Sequence, residues 1–106
     1  MKIELSKKVA LVTGGAKGIG RAIVEKLIDN GATTFLVDVD RAAAAEAVEE
    51  LKKQGKTCEA LIGDVSQAKD MEDAVHTIVG RCGCIDILVN NAGINTVRDR
   101  APIHEY

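Results

Sequence analysis

The segment TGGAKGIG, residues Thr13–Gly20, contains four glycines and begins at the end of a nearly continuous apolar run over Lys8–Gly14. Such a run is typical of a β-strand buried on both faces. The next segment, Gly18–Asn30, has one apolar stripe at helical spacing, formed by Ile19, Ile23, Val24, Leu27 and Ile28. Gly31 is placed to end this helix. The sequence therefore predicts a buried strand that passes through a glycine loop into an amphipathic helix.

Short apolar runs continue to alternate with longer amphipathic segments along the chain. Thr33–Asp40 predicts a second strand that ends in acidic residues. The alanine-rich segment Arg41–Gly55 predicts a second helix with Ala44, Val48 and Leu51 on its buried face.

The same alternation is found in the second half of the chain. A third strand is predicted to end near Gly63, and Ser66 is placed to cap a third helix over Gln67–Gly80. The apolar stripe of that helix comprises Met71, Val75 and Ile78. A fourth strand is predicted over Ile85–Gly93, where it passes into small polar residues.

The predicted element order is β-α-β-α-β-α-β, which indicates a single α/β domain with a doubly wound parallel sheet. We expect the Rossmann-type version of this sheet, in which the strand order is 3-2-1-4. Ligands of such folds bind beyond the carboxyl ends of the strands, where the strand order reverses. The glycine loop, Asp38, Asp64 and Asn90-Asn91 each follow a predicted strand. We therefore expect them to meet at one edge of the sheet.

Composition favours a single soluble domain in the cytoplasm. The chain has 106 residues, is 46% hydrophobic and has a net charge of −2 without a basic cluster, which argues against nucleic-acid binding. No apolar stretch has the length of a membrane span, and the first ten residues lack the apolar core of a secretory signal.

The three cysteines do not form the pattern of a disulfide framework or a metal site. Cys82 and Cys84 are separated by one residue, whereas zinc sites need four ligands at wider spacing. Only His76 and His104 are available as further histidine ligands. We expect all three cysteines, including Cys58, to be packing or loop residues, and we assign no metal ligands.

The glycine loop matches two phosphate-binding signatures in part. Gly15–Gly20 has the G-x-x-x-x-G frame of a triphosphate P-loop, but Arg21 and Ala22 follow where that loop needs lysine and a hydroxyl for Mg²⁺. The alternative is a dinucleotide loop, with Gly14-x-x-x-Gly18-x-Gly20 between a strand and a helix. There the helix N-terminus would face the pyrophosphate. This second interpretation is favoured.

Four features together resemble the short-chain dehydrogenase/reductase family: TGGAKGIG, an aspartate ending strand 2, Asp64-Val65 after strand 3, and NNAG after strand 4. The resemblance covers residues 7–94 and implies the NAD(P)-binding segment of an oxidoreductase. It also implies that Asp64 and Val65 contact adenine and that NNAG lies beside the adenosine half of the cofactor. The candidate cofactor-binding residues are Gly14, Lys17, Gly18, Ile19, Gly20, Asp38, Asp64, Val65, Asn90, Asn91, Ala92 and Gly93.

Two residues point to different cofactors. Asp38 at the end of strand 2 can accept hydrogen bonds from both ribose hydroxyls of NAD, and it would repel the 2′-phosphate of NADP. Lys17 stands where relatives that use NADP often have a basic residue, although it can also be a solvated loop lysine. Arg41 can assist with a phosphate, stack on adenine or simply begin helix 2. NAD is the expected cofactor, and NADP is less favoured.

The resemblance also implies catalytic residues that this chain lacks. The family uses a serine and a Tyr-x-x-x-Lys pair, but the one tyrosine here is Tyr106, and the serines are Ser6 and Ser66. No catalytic residue is assigned, and Ile94–Tyr106 is expected to be a loop toward a missing half. We expect a longer enzyme that binds a small-molecule substrate and forms a homo-oligomer. A short dinucleotide-binding sensor and a truncated product remain as alternatives.

Overall fold

The structure, a computed structural model, describes residues 5–91 of the chain. Within this range four strands and three helices alternate: β1 Val9–Thr13, α1 Gly18–Asp29, β2 Thr33–Asp38, α2 Arg41–Lys53, β3 Glu59–Ile62, α3 Ala68–Cys82 and β4 Ile87–Asn90. All neighbouring strands are parallel, and their order is β3-β2-β1-β4. The predicted α/β class, Rossmann-type sheet and strand order are confirmed.

The sheet lies between two helical layers. All five residues of β1 are buried, and successive side chains enter opposite cores. Val12 packs with residues of α1 and α2 on one face, among them Val24 and Leu51. Leu11 packs on the other face with Ile78 of α3. β1 is therefore an inner strand covered on both faces, and the polar turns of the chain lie beyond the ends of the strands.

The helix ends agree in part with the sequence prediction. Gly31 and Gly55 follow α1 and α2 with φ of 98° and 80°, so both act as helix terminators, as predicted. The third helix differs at both ends. It continues past Gly80 to Cys82, and Gly83 ends it in the left-handed conformation.

The prediction that Ser66 caps the third helix is wrong. The N-cap residue of α3 is Gln67, which makes no side-chain cap. Instead, the hydroxyl of Ser66 donates to Oδ1 of Asp64 at 2.7 Å. Ser66 lies one residue before the N-cap position, and its amide and hydroxyl both donate to Asp64, so it belongs to the turn after β3.

Two further predictions are corrected by the position of the strand ends. β2 ends at Asp38 and β4 ends at Asn90, earlier than the predicted ends at Asp40 and Gly93. Asp40 is not in the strand because it is the N-cap residue of α2. Ile19 does not belong to the buried stripe of α1, since 73% of its surface is exposed. It lies in the first turn of α1, which extends beyond the end of β1.

Over residues 5–91, no helix has both the length and the apolar character that crossing a membrane requires.

β4 lies at an edge of the described sheet. It pairs with β1 along one side, and over the described residues no strand pairs along its other side. Ile87 and Leu88 are only half-buried. A groove of about 460 Å³ opens beside them and is lined by Ile23, Lys26, Leu27, Ile85, Asp86, Ile87 and Leu88. An apolar strand with an unpaired ladder is a site for pairing with another strand.

We therefore expect the 106-residue chain to self-associate through β4 or to be marginally stable. Sedimentation velocity over a range of protein concentrations should show association, and the unfolding midpoint should rise with concentration. A chain that stays monomeric and unfolds cooperatively with normal stability would contradict this expectation.

Candidate functional site

The loop after β1 allows α1 to pack very closely against it. A Cβ atom on Gly20 would lie 2.1 Å from the carbonyl oxygen of Gly14 and 2.7 Å from Nδ2 of Asn91. Gly14 has φ of 64°, a left-handed conformation that glycine adopts without strain. These two glycines let α1 begin directly beyond the end of β1.

α1 begins without a capping side chain. Its N-cap residue, Lys17, makes no side-chain cap, and its first turn contains no acidic residue. N–H groups in the first turn of a helix have no intrahelical acceptor, and they carry the positive end of the helix dipole. Gly18, Ile19 and Gly20 supply these groups here. The first turn of α1 is therefore suited to an anion such as a phosphate.

Asp38 ends β2 beside this loop. Its Oδ2 accepts a hydrogen bond from the amide of Ala16 at 3.2 Å, and its Oδ1 accepts one from the amide of Asp40 at 3.0 Å. An ionised carboxylate has about four acceptor positions, so both oxygens can accept further hydrogen bonds. The two backbone contacts hold the carboxylate in place next to the glycine loop.

Asp64 and Val65 follow β3 at the same edge. Oδ1 of Asp64 accepts hydrogen bonds from the hydroxyl and the amide of Ser66, at 2.7 and 2.9 Å. These two hydrogen bonds hold the pKa of Asp64 below its usual value, and the hydrogen bond from the hydroxyl has the larger effect. An open cleft of about 100 Å³ joins this turn to the ends of β1 and β2, lined by Gly14, Val37, Asp38, Val39, Gly63, Asp64 and Val65.

Asn90, the last residue of β4, and Asn91 lie on the other side of the glycine loop. Oδ1 of Asn90 accepts a hydrogen bond from the hydroxyl of Thr13 at 3.1 Å. Nδ2 of Asn91 donates to the carbonyl oxygen of Gly14 at 3.2 Å. The asparagines therefore connect β4 to β1 and to the loop. Ala92 and Gly93, the remaining residues of this predicted segment, lie outside the described residues.

Lys17 forms its ion pair with Asp40 and not with Asp38. Its Nζ lies 3.4 Å from Oδ2 of Asp40, the residue that begins α2. Oδ1 of Asp40 caps α2 by accepting from the amide of Ala43 at 2.9 Å. The hydrogen bond from the Ala43 amide lowers the pKa of Asp40 most, and the hydrogen bond from Lys17 lowers it further. Arg41 is the first residue of α2, in agreement with the simplest of its three interpretations.

Sequence reasoning missed two residues of this edge. A Cβ on Gly15 would lie 2.8 Å from Cβ of Leu36, so this glycine is also required for close packing. Two consecutive glycines, Gly14 and Gly15, were the sequence feature that could have indicated this close packing. Val39, 62% exposed, lines the cleft directly after Asp38, although an isolated apolar residue in an acidic turn gives little indication of its role.

The cysteines and the histidine of the described range lie away from this edge. Cys58 is buried, and burial raises the pKa of its thiol to about 12. Cys82 is half-buried, Cys84 is exposed, and neither forms a disulfide. Among residues 5–91, His, Cys, Asp and Glu form no group of three or more that could hold a metal. His104 and Tyr106 lie outside the described residues.

Known proteins are similar to this chain in sequence. A family model described as short chain dehydrogenase matches residues 8–106. The 3-oxoacyl-(acyl-carrier-protein) reductase FabG of Vibrio harveyi is 45% identical over 92 residues, 87% of this chain and 36% of the relative. The 15-hydroxyprostaglandin dehydrogenase (NAD+) of Mus musculus is 38% identical over 99 residues, 92% of this chain and 37% of the relative.

A solved structure is similar to this chain in both fold and sequence. L-sorbose reductase from Gluconobacter frateurii, crystallised with NADPH and L-sorbose, superimposes with a TM-score of 0.80 at 34% identity. The match covers 93% of this chain and 40% of that one.

The fold is that of the Rossmann-type α/β proteins. With the family match over residues 8–106, the chain belongs to the short-chain dehydrogenase family, whose named relatives here are oxidoreductases. The chain spans little more than a third of the length of these relatives, at 36% and 37%.

Substitution of Gly20 tests the close packing of the loop. Gly20→Ala should lower the free energy of unfolding by about 2 kcal/mol or more, because the new methyl group meets backbone atoms that cannot move aside. Urea denaturation at a fixed protein concentration measures the change.

Gly80→Ala is the matched control. This glycine lies within α3, and a Cβ there would meet nothing within 4 Å. Alanine should therefore raise the free energy of unfolding by up to about 1 kcal/mol through helix propensity. Equal effects of the two substitutions would contradict the packing described for Gly20.

Proposed function

We propose that this chain binds NAD at the carboxyl edge of its sheet, as the cofactor-binding part of an oxidoreductase that acts on a carbonyl or secondary alcohol. The observation that carries the proposal is the direct contact between a glycine loop and an acidic strand end. The amide of Ala16, in the loop, donates to Asp38 at 3.2 Å. The uncapped first turn of α1 suits a pyrophosphate, and Asp38 suits ribose hydroxyls. A dinucleotide contains both groups, connected by a short link.

The residues at this edge fit such a cofactor. In our proposal the amides of Gly18, Ile19 and Gly20 bind the pyrophosphate, and Gly14 allows the backbone to approach it. The cleft beside Asp64 and Val65 takes the adenine. When bound, NAD supplies the carbon that accepts or gives up the hydride. The chain's own residues bind and orient the cofactor.

The fixed position of the Asp38 carboxylate supports NAD over NADP. Both oxygens of Asp38 are held by backbone amides, so this carboxylate cannot move away from a 2′-phosphate without losing those contacts. At about 4 Å and an effective dielectric near 20, each pair of like charges costs roughly 4 kcal/mol before screening. The relatives do not decide the matter, because one is named for NAD+ and one structure was solved with NADPH.

The remaining assignments concern the complete enzyme. We propose that Asn90, Asn91, Ala92 and Gly93 support the sheet beside the adenosine half of the cofactor. We also propose that residues 1–106 form the NAD(P)-binding segment, and that residues 94–106 lead toward the catalytic half. The small-molecule substrate and homo-oligomeric state of a cytoplasmic enzyme belong to the same proposal.

Calorimetric titration with NAD, NADH and NADP tests the binding proposal. The native chain should bind NAD at least about tenfold more tightly than NADP, a difference of about 1.4 kcal/mol. Asp38→Asn should weaken NAD binding and remove most of this preference, because the variant loses the charge that repels the 2′-phosphate.

Asp29→Asn is the control for the loss of one negative charge. Asp29 pairs with Lys56 at 3.1 Å at the far end of α1, so both affinities should stay unchanged. Absence of saturable NAD binding, or the same preference in the native chain and Asp38→Asn, would contradict the proposal.

A further inference from the structure

An ion pair lies beside Asp38 at the mouth of the proposed site. Nζ of Lys17 is 3.4 Å from Oδ2 of Asp40. The amide of Asp40 donates to Oδ1 of Asp38, and the amide of Ala16, the neighbour of Lys17, donates to Oδ2. Asp38 is therefore fixed between the backbone segments that carry the two ends of this pair.

The pair has little value for stability. The side chains of Lys17 and Asp40 are 68% and 42% exposed, and exposed ion pairs contribute little to folding. The negative charge of Asp40 is also not needed for its cap on α2, since neutral asparagine and serine are equally good N-cap residues. Oδ1 alone accepts from Ala43. The charge on Asp40 is thus available for another role.

We propose that Asp40 is a specificity-determining residue, which holds Lys17 back from the 2′-phosphate of NADP and adds a second negative charge beside Asp38. The inference rests on the proposed dinucleotide site. With Asp40 in place, the mouth of the site carries two carboxylates, and the one ammonium group beside them is paired with Asp40. Without the charge of Asp40, only the carboxylate of Asp38 remains, and Lys17 is free to turn toward a phosphate.

This proposal predicts coupling between the two residues. Asp40→Asn keeps the capping oxygen and removes the charge, so it should raise the ratio of NADP affinity to NAD affinity about tenfold. Lys17→Gln should lower that ratio about tenfold in the Asp40→Asn background. In the native chain it should lower the ratio only about twofold, because the ammonium group of Lys17 is already paired with Asp40. The ratio change should shrink at high ionic strength, because exposed charges are screened.

Calorimetric titration with NAD and with NADP measures the four proteins of this cycle, the native 106-residue chain, the two single variants and the double variant. Glu50→Gln is the matched control, because Glu50 forms an exposed ion pair with Lys53 at 3.8 Å near the other end of α2. It removes the same charge and should leave the affinity ratio unchanged. Thermal unfolding of each variant checks that α2 is intact, and Asp40→Ser provides a second neutral cap if asparagine destabilises the chain.

The outcomes separate this inference from the proposed function. NAD binding with an affinity ratio that Asp40→Asn and Asp40→Ser leave unchanged would overturn the inference alone, as would equal effects of Lys17→Gln in both backgrounds. No NAD binding by the native chain would overturn the proposed function and the inference with it. A raised ratio that depends on Lys17 would support both.

Discussion

The contact between Gly20 and the carbonyl oxygen of Gly14 determines where α1 lies, and the rest of the edge depends on it. With 2.1 Å between that oxygen and a hypothetical Cβ, the helix can pack here only through a bare backbone. Val24, one turn further along, is then fully buried over the same loop, with its Cγ2 3.1 Å from the Cβ position of Gly15. This packing leaves the first-turn amides of α1 at the carboxyl edge of the sheet, beside Asp38.

Hydrogen bonds between the turns fix the geometry of this edge without a ligand. Asn91 donates to Gly14, Ala16 donates to the carboxylate of Asp38, and the amide of Gly63 donates to the carbonyl oxygen of Asp38 at 3.0 Å. Each contact connects the end of one strand to its neighbour in the sheet. A site whose groups are already held in position loses less entropy when a ligand binds. The polar residues after the strands therefore organise the edge as well as supplying groups for binding.

Much of this could be predicted from sequence, because hydrophobic periodicity and glycine position are local signals. These signals predicted the seven elements and which turns would meet, and the strand order followed from the expected Rossmann-type sheet. The failures depend on tertiary contacts. Ser66 bonds to Asp64 instead of capping α3, and Ile19 has helical spacing but no sheet beneath it. Lys17 was expected either to reach a 2′-phosphate or to be a solvated loop lysine. Its pairing with Asp40 was not foreseen, because the direction of a long side chain is set by neighbours that no local pattern specifies.

We propose that the first turn of α1 and the end of β2 bind one dinucleotide together. Amide chemical shifts of the ¹⁵N-labelled chain, recorded during addition of NAD, test whether they do. Saturable shifts with a single dissociation constant are expected at Gly18, Ile19 and Gly20 and at the residues around Asp38, with little change at Gly31 and Gly55 beyond the other ends of the strands. Shifts confined to the groove between α1 and β4, or shifts at the two predicted regions with different dissociation constants, would contradict this proposal.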